Sequence, residues 1–174
     1  MFERNLLPVW LAGLGLSEIV LSSVGAFVAI AVTGWTCLFF LNSNDTFFIV
    51  GSMGASAVLV FTTPHSRIAQ PWPLVMGHFV SVMVGVSCSQ FVPDIVLACA
   101  LAVSGSIFVM MLTNSLHPPG GAAALLCVIG GQSIQELGYL IVLFPVGINV
   151  LIMLILAIII NHFIPGRHYP VRND

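Results

Sequence analysis

Residues Asn114–Gly131 read NSLHPPGGAAALLCVIGG, and this stretch sits between two long apolar runs. A connecting loop needs one proline or one glycine, whereas here two of each follow a histidine. The order is that of a helix start. Pro118 and Pro119 suit the first helical positions, where an N–H has no intrahelical partner in any case, and the residues behind them are small. The reading of the chain turns on what that open helix N-terminus faces.

Composition sets the medium. The chain has 174 residues, 59% hydrophobic and 6% charged, with a mean hydropathy of +1.11, against about 25% charged residues in a soluble domain. The apolar runs are continuous rather than alternating, which predicts a helical membrane protein and not a barrel. A net charge of −2 with four Lys+Arg excludes nucleic acid as a partner. Cys37, Cys88, Cys99 and Cys127 lie inside apolar runs without CxxC spacing and read as small buried hydrophobes. No cleaved signal peptide and no second domain are expected.

Six apolar runs follow one another: Ile19–Leu41, Thr46–Phe61, Leu74–Val92, Ile95–Leu112, Gly120–Ile129 and Leu137–Phe163. A crossing helix needs about 20 apolar residues. Four runs meet that length. The second, broken by Gly51 and Gly54, and the fifth do not. The expected fold is therefore an all-α membrane bundle of four full-length spans plus two short broken or re-entrant helices. Arginine placement arbitrates between four and six crossings. Six crossings put Arg4, Arg67, Arg167 and Arg172 on one side, with both termini cytoplasmic, and so satisfy the positive-inside rule. Four crossings leave Arg67 opposite the termini.

The runs also divide into two sets of three, each with its short run in the middle. GASAVLV (Gly54–Val60) resembles GAAALLC (Gly121–Cys127), and Asn42-Ser43 and Asn114-Ser115 precede them. This suggests an inverted 3+3 repeat. Short, Gly/Pro-interrupted segments at matching positions of inverted halves mark transporter binding sites near the midplane, although short small-residue segments also look alike by composition alone.

A helix that begins inside the membrane has N–H groups that lipid cannot satisfy, and its N-terminal dipole suits an anion. The expected donors are the amides of Gly120, Gly121 and Ala122, with Ser52, Gly54 and Ser56 of GSMGAS as the facing segment. For Gly54, Ala55, Ala122 and Ala123 alone, tight helix packing is the favoured explanation, but packing does not explain His117, Pro118 and Pro119. His117 adds charge or a donor beside the helix start, and His78, mid-run in MGHFVS, is an ionisable group at membrane depth. The two tune the local potential or carry a coupled proton; otherwise each is a histidine held by an ordinary hydrogen bond. Thr113, Asn114 and Asn149 stand as pore-lining or helix-pinning groups. Glu18, Asp45, Asp94 and Glu136 lie at run ends as interfacial or capping residues, and Trp72 reads as an interface anchor. No HExxH, GxSxG or SxxK occurs, so neither a metal site nor a cofactor nor an enzyme is expected.

LHPPGGAAAL (Leu116–Leu125) resembles the signature of the HPP family of integral membrane proteins. The likeness extends to GSMGASAVLVF, to RIAQPWPLVMGH with Ser81 and Gly85 after it, and to the order of the apolar runs. It covers Ile49 to Ile129 and maps the signature onto His117, Pro118, Pro119, Gly120 and Gly121. The resemblance implies a four-span description, which differs from the six-crossing count only in the two short segments. It also implies an association of some chloroplast and cyanobacterial members with nitrite transport. Some members carry cytosolic CBS domains; none is expected here, so the resemblance does not imply nucleotide regulation.

These readings converge on an expected transporter or channel for a small monovalent anion, with nitrite as the candidate, in the bacterial inner membrane among its lipids. Its small mass around a pore predicts a homo-oligomer, most simply a dimer. A non-transporting membrane scaffold and an intramembrane enzyme using His117 and His78 are the alternatives.

Overall fold

The computed structural model describes residues 15–41 and 43–171. Arg4, Asn42 and Arg172, which entered the topology and repeat arguments, lie outside them. Among the described residues the chain forms seven α-helices: α1 (Leu16–Leu38), α2 (Ser43–Thr62), α3 (Pro71–Phe91), α4 (Ile95–Leu112), α5 (Pro118–Ile129), α6 (Gln132–Leu137) and α7 (Ile148–His162). Local chemistry sets their starts. Prolines occupy the first turns of α3 and α5. Asp94 caps α4 by accepting the Leu97 N–H at 2.8 Å. His117, the residue before Pro118, is extended (φ −139, ψ 102), as a residue preceding proline prefers.

Helices α1, α3 and α4 and the stretch Gln132–His162 are each long and apolar enough to cross a membrane, while Ile49–Thr62 and Pro118–Ile129 are the shorter apolar helices. Two details differ from the sequence reading. The second run is not broken: α2 continues for 20 residues through Gly51 and Gly54. A glycine costs a helix only about 1 kcal/mol, far less than leaving backbone groups unpaired in lipid. The break falls instead in the last run, which the sequence reading took as one long span. There Gly138 (φ +50) ends α6, and Phe144 is non-helical (φ −136, ψ 129) before Pro145, so the regular helix resumes only at Ile148. Proline removes one N–H and disfavours helical backbone in the residue before it.

The chain passes between the two ends of the bundle six times. At one end, Arg167 binds Glu18 at the start of α1 and the Phe61 carbonyl at the close of α2. Tyr169 donates to the Ala69 carbonyl, the Val171 N–H donates to Gln70, and Trp72 Nε1 donates to the Thr113 carbonyl. At the other end, Asp45 accepts the Gly131 and Ser133 amides, and Ser89 and Ser87 bond Gln135 and Tyr139. Arg67 and Arg167 therefore share an end, as six passes require. Burial raises the pKa of the Tyr169 phenol, which keeps it a neutral donor.

Helix α3 packs on α4 and α5, helix α1 packs on α2 and α7, and the pairs α2–α5 and α3–α7 join the two groups. With the further pairs α4–α5 and α2–α7 included, exchanging α1 with α4, α2 with α5 and α3 with α7 maps the whole set of pairs onto itself. The tightest approach is between α3 and α5. A Cβ on Gly120 would lie 2.7 Å from the Gly77 carbonyl oxygen, and one on Gly85 would overlap the Ala124 backbone. Gly77, Ser81 and Gly85 recur every fourth residue, giving α3 a small-residue groove that admits α5.

Candidate functional site

Three of the polar residues singled out in the sequence meet at one point. Ser56 comes from α2, His78 from α3, and His117 from the residue capping α5; all three are fully buried. Ser56 Oγ lies 3.0 Å from His117 Nε2 and 3.4 Å from His78 Nε2. The imidazole centroids are 4.9 Å apart with planes tilted by 50°. Each ring is held from behind: His78 Nδ1 donates to the Leu74 carbonyl at 2.8 Å, and His117 Nδ1 donates to the Ile68 carbonyl at 2.7 Å. The cluster sits about 10 Å along α3 from Pro71, nearer the arginine end than the middle of the bundle.

The remaining predicted residues fall into distinct places. Ser52 is buried one turn before Ser56, but its hydroxyl donates to the Ile49 carbonyl at 3.2 Å and is not presented to a solute. Pro119, Gly120 and Gly121 are buried in the first turn of α5, while Pro118 and Ala122 are exposed on its outer side. Asn114 is exposed, with a positive φ of 54°, which asparagine tolerates better than most residues. With Arg67, Ile68, Pro73, Met110, Met111 and Leu116 it lines a cavity of about 330 Å³. Two of those lining residues touch His117: Ile68 through its carbonyl, and Met110, whose sulfur receives the His117 N–H at 3.5 Å.

The structure revises the picture of open α5 amides facing a broken second helix near the midplane. Helix α2 is continuous here and begins at the opposite end, so it brings a mid-helix hydroxyl rather than a dipole end. The Gly120 N–H is not open either; it donates to the His117 carbonyl at 2.8 Å, and its Cα is pressed against α3. Gly121 behaves differently. It is buried, yet a Cβ built on it meets nothing within 4 Å, and the same holds for the half-buried Gly54. The first turn of α5 therefore has room for a methyl group at Gly121.

Sequence reasoning missed the carbonyls of Ile68 and Leu74 that fix the two rings, and it missed Ser81. The Ser81 hydroxyl is fully buried without a partner, 2.9 Å from where a Gly120 Cβ would stand. The four-residue spacing of Gly77, Ser81 and Gly85 was the available signal. Among the described residues no cluster of three or more His, Cys, Asp or Glu is placed to hold a metal ion.

The family model described as "HPP, transmembrane region" matches residues 12–170, reaching the outer helices as well as the central motifs. A transmembrane protein of Dictyostelium discoideum is 46% identical over 127 residues, covering 71% of this chain and 44% of the relative. A second transmembrane protein of that organism is 41% identical over 160 residues, covering 90% of this chain and 51% of the relative. The chain thus spans about half the length of the curated relatives it matches. No solved structure matches it. The chain belongs to the HPP transmembrane family.

Proposed function

We propose that this member of the HPP transmembrane family moves a small monovalent anion across the membrane, past the Ser56, His78 and His117 cluster. Nitrite is the candidate that the family resemblance supplies. The observation that carries this reading is the cluster itself. Two imidazoles and a hydroxyl from three separate elements converge inside an apolar bundle, where ionisable groups are costly and mark solute pathways. The backbone at Gly121 and Gly54 has room for a further atom, and the cavity at Arg67 is lined by Ile68 and Met110, both of which bond His117. Weak, multi-point binding suits passage, because the solute must also leave.

The exchange relation between the two helix groups favours an inverted 3+3 repeat. The arginine-bearing end would face the cytoplasm, in an inner membrane if the host is bacterial. A homodimer is the simplest assembly for so small a bundle.

Uptake by proteoliposomes tests the proposal. Wild-type protein is expected to take up nitrite, nitrate or formate well above empty vesicles, with His117→Ala reducing uptake at least tenfold. Equal and negligible uptake by both would remove the reading. The packing of Gly120 on Gly77 and of Gly85 on Ala124 favours a second reading, a rigid non-transporting scaffold, which predicts that negligible flux.

A further inference from the structure

A carbonyl only accepts, so the bonds to Leu74 and Ile68 place a hydrogen on Nδ1 of each ring. When both rings are neutral, each Nε2 is a bare acceptor. Both are aimed at Ser56 Oγ, which has a single hydrogen to give and also lies 3.2 Å from the Ser52 carbonyl. One Nε2 must then face an oxygen lone pair. Adding a proton to either ring resolves the conflict: that Nε2–H donates to Oγ, and the Ser56 O–H donates to the other Nε2. A second proton would put two cations 4.9 Å apart, centroid to centroid.

We infer that His78, Ser56 and His117 form a site for one proton, shared between the two imidazoles through the serine hydroxyl. Transfer is a concerted double hop. The N–H bond at His78 breaks as an O–H bond forms at Ser56, while the original Ser56 O–H breaks as an N–H bond forms at His117. No atom is gained or lost, and the positive charge moves from α3 to the start of α5.

The acidic side chains of the described residues are engaged elsewhere. Glu18 pairs with Arg167, Asp45 accepts the Gly131 and Ser133 amides, Asp94 caps Leu97, and Glu136 accepts from Gln132. Arg67 is exposed and lines the cavity. The shared proton therefore lacks a resident counter-charge, and the chemistry that complements it is a small monovalent anion. On the anion-transport reading, one proton and one anion move together without net charge.

The test is a pH titration of ¹⁵N-histidine-labelled full chain in lipid nanodiscs, followed by ¹⁵N NMR, with the rings assigned from His78→Gln and His117→Gln. The expected result is one proton taken up by the pair, with both Nε2 signals shifting in the same step. Nitrite should move that step to higher pH. Ser56→Ala, a smaller residue that the site accommodates, should confine the shift to one ring. Two separate protonation steps, no change in either ring across the histidine range, or joint shifts that survive Ser56→Ala would each overturn the inference. Vesicle flux separates the two claims. A single shared proton without any flux removes transport and leaves the site standing, whereas flux without the shared proton removes the site alone.

Discussion

Adjacent glycines do different work in this chain. Gly120 is locked by contact: a methyl group there would meet the Gly77 carbonyl oxygen at 2.7 Å and Ser81 Oγ at 2.9 Å. Gly120→Ala is therefore expected to cost about 1–3 kcal/mol through overpacking, read as an earlier midpoint in a thermal melt in detergent. Gly121→Ala meets open space and is expected to be neutral or to stabilise by up to about 1 kcal/mol, because alanine is the better helix former. Similar losses at both positions would contradict the free space assigned beside Gly121. The sequence showed that His117, Pro118 and Pro119 begin a helix, because proline chemistry is local. It did not show which glycine packs and which stays open, since that depends on where α3 lies. For the same reason Ser56 and His78 were readable as candidates, but their meeting with His117 was not.

Helix boundaries followed the local signals wherever a cap or a proline sets them, as at Asp94, Pro71 and Pro118. They departed from expectation where glycine was read as a breaker in α2 and where a continuous apolar run hid the break at Phe144-Pro145. Hydropathy cannot see a missing N–H, whereas the membrane makes each such loss matter. A contact between distant elements was equally invisible. Asp45, read as a run-end residue, accepts the Gly131 amide at 2.8 Å and the Ser133 amide at 3.1 Å, fastening the start of α2 to the start of α6. Asp45→Ala is expected to cost about 1–2 kcal/mol. Hydrogen exchange should show faster exchange at Gly131 and Ser133 than in wild type; unchanged exchange there would argue against the cap.

At the scale of the whole molecule, the six passes and the clamp at the arginine end belong together. Arg167 is almost fully buried and bonds Glu18, Asn161 and the Phe61 carbonyl, so one side chain ties α1, α2 and α7. Arg167→Ala is expected to destabilise by about 3 kcal/mol, because it strands Glu18 and two further acceptors. The clamp joins residues 149 apart in sequence, a pairing the arginine count hinted at only by placing both ends of the chain on one side. Sided cysteine labelling checks the passes. In a background without native cysteines, Arg67→Cys and His168→Cys should react from one face and Asp94→Cys from the other. Opposite faces for the first two would restore a four-crossing arrangement.

Anion flux through a folded Gly121→Ala variant tests the central claim most directly. The added methyl occupies the space beside the first turn of α5 without disturbing the packing around it. Vesicles carrying wild-type protein should take up nitrite, and those carrying the variant, with a melting midpoint no lower than wild type, should fall by tenfold or more. A variant that melts no lower than wild type and transports at the wild-type rate would mean that the solute does not pass beside His117, and would contradict the account.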